Sequence, residues 1–169
     1  MKRLHLLKTL LDVFFFFAVI SAAAMVIFIP ILFMNSESIP IEIKGQKITT
    51  FDLATKMLMV FAMLSGLCFV YAIYLFRKTI LHFSKREIFH PNVITYLNKT
   101  GLFIIASTLL INVPLFFFNM SKKQEFAFEI GAGGFDSLLL SISLGLFFMV
   151  LGEVFKMSGK LKAENELTV

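Results

Sequence analysis

Four long apolar runs alternate with short polar segments along this chain. They are Val13 to Met34, Met57 to Phe76, Gly101 to Phe118 and Phe135 to Gly152. At about 1.5 Å of rise per helical residue, each run is long enough to cross a hydrocarbon core of about 30 Å. The pattern predicts an all-α membrane protein, a bundle of four transmembrane helices forming one integral membrane domain over residues 1–169. The first run follows a basic start, Met1-Lys2-Arg3, and contains Ala22-Ala23-Ala24, which together resemble a secretory signal. It continues ten residues past Ala24, beyond the core of about 7–15 residues that a cleaved signal has, and is read as an uncleaved first span.

The polar segments mark where helices start and what lies between them. Thr49-Thr50-Phe51-Asp52 has the pattern of a capping box, with an acid following the threonine. His90-Pro91-Asn92 places proline where its missing N–H costs a new helix little. Pro30 and Pro114 fall near the ends of spans one and three, where each removes a backbone hydrogen bond and bends its helix. Ile39, Ile41 and Ile43 alternate with polar residues or proline, Lys44-Gly45-Gln46-Lys47 reads as a turn, and Phe126, Phe128 and Ile130 alternate in the other loop on that side. Period-two alternation in both loops predicts short strands that pair into a small extracytoplasmic β cap.

Charge adds an orientation. With the N-terminus cytoplasmic, Lys2, Arg3, Lys8, Arg77, Lys78, Lys85, Arg86, Lys99, Lys156, Lys160 and Lys162 lie inside, against Lys44, Lys47, Lys56, Lys122 and Lys123 outside. This is the bias of the positive-inside rule, and it predicts that both termini are cytoplasmic and that residues 153–169 form a cytoplasmic helix extension and tail. Tyr71, Tyr74 and Tyr96 would all lie at the inner interface, where an amphipathic ring is at home. The net charge of +5 is thus an orientation signal, and direct nucleic-acid binding is not expected, because no basic face on a soluble fold is available. The composition, 58% hydrophobic with a mean hydropathy of +0.86, suits a chain whose apolar surface is covered by lipid.

Candidate chemistry is sparse. There is no H-E-x-x-H, G-x-S-x-G or Walker pattern, and Gly131-Ala132-Gly133-Gly134 lacks the G-K-[ST] ending of a phosphate loop. His82 and His90 share a loop with Glu87, but at no known metal-ligand spacing. Cys68, the one cysteine, lies within span two and reads as a small packing residue. No catalytic residue, metal or cofactor is expected. Ser137, Ser141 and Gly145, four residues apart, and Ser21 to Ala24 read as small-residue faces for helix packing. The intramembrane polar candidates are Asp12, with Lys8 four residues before it, and Asn112, two residues before Pro114. Glu153 at the inner end of span four has Lys156 three residues on.

The inner loop and tail carry the most distinctive sequence. The loop reads Phe83-Ser84-Lys85-Arg86-Glu87-Ile88-Phe89-His90-Pro91-Asn92-Val93, then Tyr96-Leu97 and Gly101. The tail reads Gly152-Glu153-Val154-Phe155-Lys156, then Gly159, Leu161 and Lys162, ending Glu164-Asn165-Glu166-Leu167-Thr168-Val169. Together these stretches resemble the bacterial membrane proteins of domain-of-unknown-function family 2975, in which a G-x-x-F-x-x-x-N-V loop precedes helix three and an E-V-F-x-x-G-x-x-L-x-x-E-x-E-L-T-V tail follows helix four. The loop departs from that pattern at Arg86 and Glu87, where the family often has glycine.

The resemblance implies four helices in a bacterial cytoplasmic (inner) membrane. It also implies a genomic neighbour, a small helix-turn-helix regulator of the Cro/repressor type. On that basis Lys85, Arg86, Phe89, Asn92, Glu153, Phe155, Glu164, Glu166, Leu167 and Val169 are the candidate partner-binding residues, with Glu166 to Val169 read as an extended tail able to add to a partner's sheet edge or fill a groove. Two function classes follow. One is a non-enzymatic signalling or regulatory membrane protein whose cytoplasmic loop and tail engage such a regulator. The other is a small transporter or channel subunit, acting as a homo-oligomer with a path lined by Asn112, Ser141 or Ser143.

Overall fold

The structure, a computed structural model, describes residues 2–34, 41–43, 46–48, 53–85, 87–123 and 135–167, with side chains described over 4–31, 53–85, 87–120 and 137–165. In chain order the elements are α1 (Lys2–Met34), β1 (Ile41–Ile43), β2 (Gln46–Ile48), α2 (Leu53–Ser84), α3 (Pro91–Lys123) and α4 (Phe135–Leu167). Four helices are long and apolar enough to cross a membrane, which is the architecture of a multi-pass membrane protein. Each helix is longer than its apolar run. A helix of 33 residues reaches about 50 Å, so its ends leave a core of about 30 Å and carry polar residues into the interface and beyond.

The helices pack in chain order, α1 on α2, α2 on α3 and α3 on α4, each pair antiparallel. Ring contacts of 4.9 Å between Phe76 and Phe148, and of 5.7 Å between Phe83 and Phe155, also tie α4 to α2. The well-buried side chains, Leu58, Met59, Ala72, Ile73, Leu75, Ile80, Val93, Leu97, Ile104 and Phe118, all belong to α2 and α3. Hydroxyls share this interface: Ser65 Oγ donates to the Ser107 carbonyl across it at 2.8 Å, while Thr79 and Thr108 bond the carbonyl four residues earlier in their own helices. Large apolar residues such as Phe17, Phe28, Leu140 and Phe147 point outward, the arrangement of a bundle whose outer solvent is lipid.

Two expectations change. β1 and β2 pair antiparallel with each other, Ile41 with Ile48 and Ile43 with Gln46, so the strands belong to one loop, and Gln46 and Lys47, expected in a turn, lie in β2. With a two-residue connection between them, local pairing closes at far less entropic cost than pairing across the bundle. A β cap built from both outer loops is not supported, and its other proposed strand, Glu125 to Ile130, lies outside the described residues, as does the Thr49–Asp52 cap. Second, α4 runs to Leu167, so Glu166 and Leu167 are helical where an extended tail was expected. Lys160, Leu161, Lys162, Ala163 and Glu164 are good helix formers, and nothing in that stretch stops the helix.

Candidate functional site

The site of interest is the end of the bundle where the start of α1, the α2–α3 loop and the last turns of α4 gather; we call it the basic end. The loop is built back over α2. The N–H groups of Lys85 and Glu87 both donate to the His82 carbonyl, at 3.1 Å each, closing the helix C-terminus. The His90 N–H then reaches the Glu87 carbonyl at 3.3 Å. α3 starts at Pro91, as the sequence predicts, with His90 as its cap: the His90 carbonyl accepts from the Val93 N–H at 2.9 Å and its Nδ1 accepts from the Asn92 N–H at 3.2 Å.

Side chains brace this turn. His82 Nδ1 meets the Glu87 carboxylate at 2.8 Å, and since an ionised carboxylate only accepts, the proton is placed on His82. That hydrogen bond holds the Glu87 carboxyl below the ordinary carboxylate value, with the positive charge of Lys85 adding to it. The His82 and His90 rings stack, centroids 5.2 Å apart and 17° between planes. Among the described residues, no group of three His, Cys, Asp or Glu side chains comes together to hold a metal ion.

α4 is fixed to this loop by a glycine seam. Gly145, Gly152 and Gly159 are seven residues apart, a spacing that returns to the same side of a helix after nearly two turns. A methyl group added at Gly145 would lie 2.8 Å from the Gly101 carbonyl oxygen and 2.6 Å from Ile105 Cγ1, and one at Gly101 would lie 2.3 Å from the Gly145 oxygen. Only glycine lets the two backbones come this close. One step along, a methyl at Gly152 would meet Asn98 Oδ1 at 2.8 Å; at Gly159 it would meet Phe89 Cβ at 3.7 Å, an ordinary contact. Phe83 packs edge-on against Phe155, and Lys162 Nζ lies 5.9 Å from the Phe89 ring centre. The seam therefore runs from the middle of α3 and α4 out onto the loop.

The sequence candidates fall unevenly on this frame. Phe89 and Phe155 are brought together with the loop and α4. Lys85, Asn92, Glu153 and Glu164 are exposed at the same end. Arg86 and Val169 lie outside the described residues, and of Glu166 and Leu167 only the helical backbone is described. Asp12 pairs with Arg77 Nε on α2, not with Lys8, so it ties two helices together; both side chains stay about one-third exposed, at 35% and 36%. Asn112 Nδ2 donates to the Thr108 carbonyl at 2.7 Å within its own helix, Ser141 is half-buried and Ser143 is exposed. Of the small-residue faces, Gly145 is in the seam, while Ser137, Ser21, Ala23 and Ala24 are exposed. The seven-residue glycine spacing is the sequence signal of this seam; the Ser137–Ser141–Gly145 series follows a four-residue step that drifts off the contact face.

A model of the family described as "Protein of unknown function (DUF2975)" matches residues 10–169. No curated protein and no solved structure matches the chain.

Proposed function

The chain belongs to the DUF2975 family, and from that premise we propose that it is a non-enzymatic regulatory protein of the bacterial cytoplasmic membrane. Its basic end faces the cytoplasm in this reading, in line with the lysine and arginine bias. There it holds a small helix-turn-helix regulator. The observation that supports this is the junction of the α2–α3 loop with α4: Phe89 seats on Gly159 and Phe83 on Phe155, so the two most distinctive stretches of the sequence form one continuous surface. Lys85, Asn92, Glu153 and Glu164 are exposed at this end. A surface made from two segments held by packing can bind as a preformed unit, without the ordering cost of two free loops.

Co-purification of the full chain with the helix-turn-helix protein encoded beside it tests the reading. Deletion of Ala163 to Val169 combined with charge reversal at Lys85 and Arg86 is expected to abolish capture while leaving the chain in the membrane. Equal capture by that variant would remove the basic end as the working surface.

A further inference from the structure

The face of α3 turned away from the glycine seam carries a second constellation. On α2, Tyr71, Tyr74, Lys78 and His82 recur at steps of three and four residues and so share one side; on α3, Tyr96, Lys99 and Phe103 do the same. The two rows face each other. The Tyr71 ring lies 4.7 Å from that of Phe103, and the His82 ring 6.0 Å from that of Tyr96. Between them Lys78 Nζ sits 4.7 Å from the Tyr74 ring centre and 5.6 Å from that of Tyr96. Tyr74 also touches Phe15 of α1 at 6.1 Å, which closes one wall.

The neighbouring cation is handled differently. Arg77 has the Asp12 carboxylate as its counter-ion. Among the described residues no carboxylate reaches Lys78, whose ammonium is held by the Tyr74 hydroxyl and by the faces of aromatic rings. Ring faces attract a cation but leave its charge in place, and near the hydrocarbon boundary that charge favours an anion close by. Lys99 is exposed on the same side, and Tyr71 is 42% exposed, so the groove opens sideways from the bundle. Its floor toward the membrane interior is the Tyr71–Phe103 ring pair, an apolar surface suited to an acyl chain.

We propose that the groove formed by Tyr74 and Lys78 of α2 with Tyr96 and Lys99 of α3 binds the phosphate of an anionic membrane phospholipid. The lysines supply the charge, the tyrosine hydroxyls donate hydrogen bonds, and the aromatic floor takes the start of the acyl chain. A sideways opening over an apolar floor fits a lipid better than a free anion, which would be served as well by any exposed pair of lysines. This inference rests on the membrane placement of the helices and is independent of the regulator.

The test uses the full chain in mild detergent, with phosphatidylglycerol or phosphatidylcholine added at equal mole fraction, and native mass spectrometry counting the lipid retained. Phosphatidylglycerol is expected to be retained over phosphatidylcholine. Lys78→Gln and Lys99→Gln should each weaken that retention about fivefold, the effect of one lysine near an anionic headgroup, and the double variant should show no preference. Lys78→Arg, which keeps the charge, should hold the lipid and confirms that the groove tolerates substitution. Lys156→Gln, an exposed lysine on α4, should change nothing. The proposal fails if the double variant keeps the preference, or if Lys156→Gln loses as much, which would mean a diffuse attraction to the whole basic end. It also fails if inorganic phosphate displaces the lipid from the wild-type chain, which would make the groove a free-anion site.

Discussion

α4 and α1 are both long apolar helices beside a two-helix core, yet they are held in different ways. α4 meets α3 backbone to backbone through Gly101 and Gly145, and the contact continues through Asn98 on Gly152 to Phe89 on Gly159. α1 buries no residue at all among those described. It rests on α2 through Met25 near Gly66, Phe15 against Tyr74, and the Asp12–Arg77 pair. In lipid the hydrophobic effect does not separate these cases, since acyl chains cover apolar side chains as well as a neighbouring helix does. What separates them is how close the backbones come. The difference makes α2, α3 and α4 one packed unit that reaches the basic end, with α1 a more weakly attached neighbour pinned by a polar clamp.

The largest effect is expected from closing the seam. Gly145→Ala places a methyl group against the Gly101 carbonyl and Ile105, and backbone cannot swing away as a side chain can. It should cost about 1–3 kcal/mol or more, read as a lowered unfolding midpoint in detergent. Along the same seam the cost should fall: Gly152→Ala is crowded chiefly by the end of the Asn98 side chain, with the Ile94 carbonyl oxygen farther off at 3.4 Å, and Gly159→Ala meets an ordinary contact and should be close to neutral. Three equal losses would show that the seam is not graded from tight to loose.

Next comes the clamp on α1. Asp12→Asn removes the counter-ion of Arg77 at a site about one-third exposed, so the loss should be at most about 1 kcal/mol. Amide exchange should speed up in α1 and stay unchanged in α3 and α4. Equal acceleration in all helices would mean that α1 is part of the packed unit after all.

The smallest effect concerns the loop. The Glu87 carboxyl is held below its ordinary value by the His82 hydrogen bond, so its contribution is present above the ordinary glutamate range and is lost as pH falls through the lowered value. Exchange of the loop amides should rise only on acidification into that range, and Glu87→Gln should remove the dependence. A Glu87→Gln chain with the same acid response would assign it to another group.

Much of this was legible in the sequence because the bilayer imposes so strong a length rule. The four apolar runs located all four helices, and Pro91 marked the start of α3. The helix ends were less visible, since charged residues such as Arg77 and Glu153 end an apolar run without ending a helix. Alternation marks β1 but does not name its partner, and that partner is β2, whose Gln46 and Lys47 read as a turn in the sequence. Phe89 and Phe155 stand out in the sequence by their place in the distinctive loop and tail, and the fold sets Phe89 by Gly159 and Phe155 by Phe83. Gly145, Gly152 and Gly159 share a seven-residue step that the four-residue series Ser137, Ser141 and Gly145 masks. For Asp12 the sequence offers only local neighbours such as Lys8; its partner Arg77 is 65 residues away, and only the fold brings it near.

The central claim is that the α2–α3 loop and the end of α4 form a single surface. The most direct test is a chain carrying Phe89→Cys and Gly159→Cys in a Cys68→Ser background. The 3.7 Å between Phe89 Cβ and the position of a Cβ at residue 159 lies within the range that a disulfide spans. Under mild oxidation in membranes the account predicts a nearly complete intramolecular disulfide. Free thiols, or crosslinks only between chains, would contradict it.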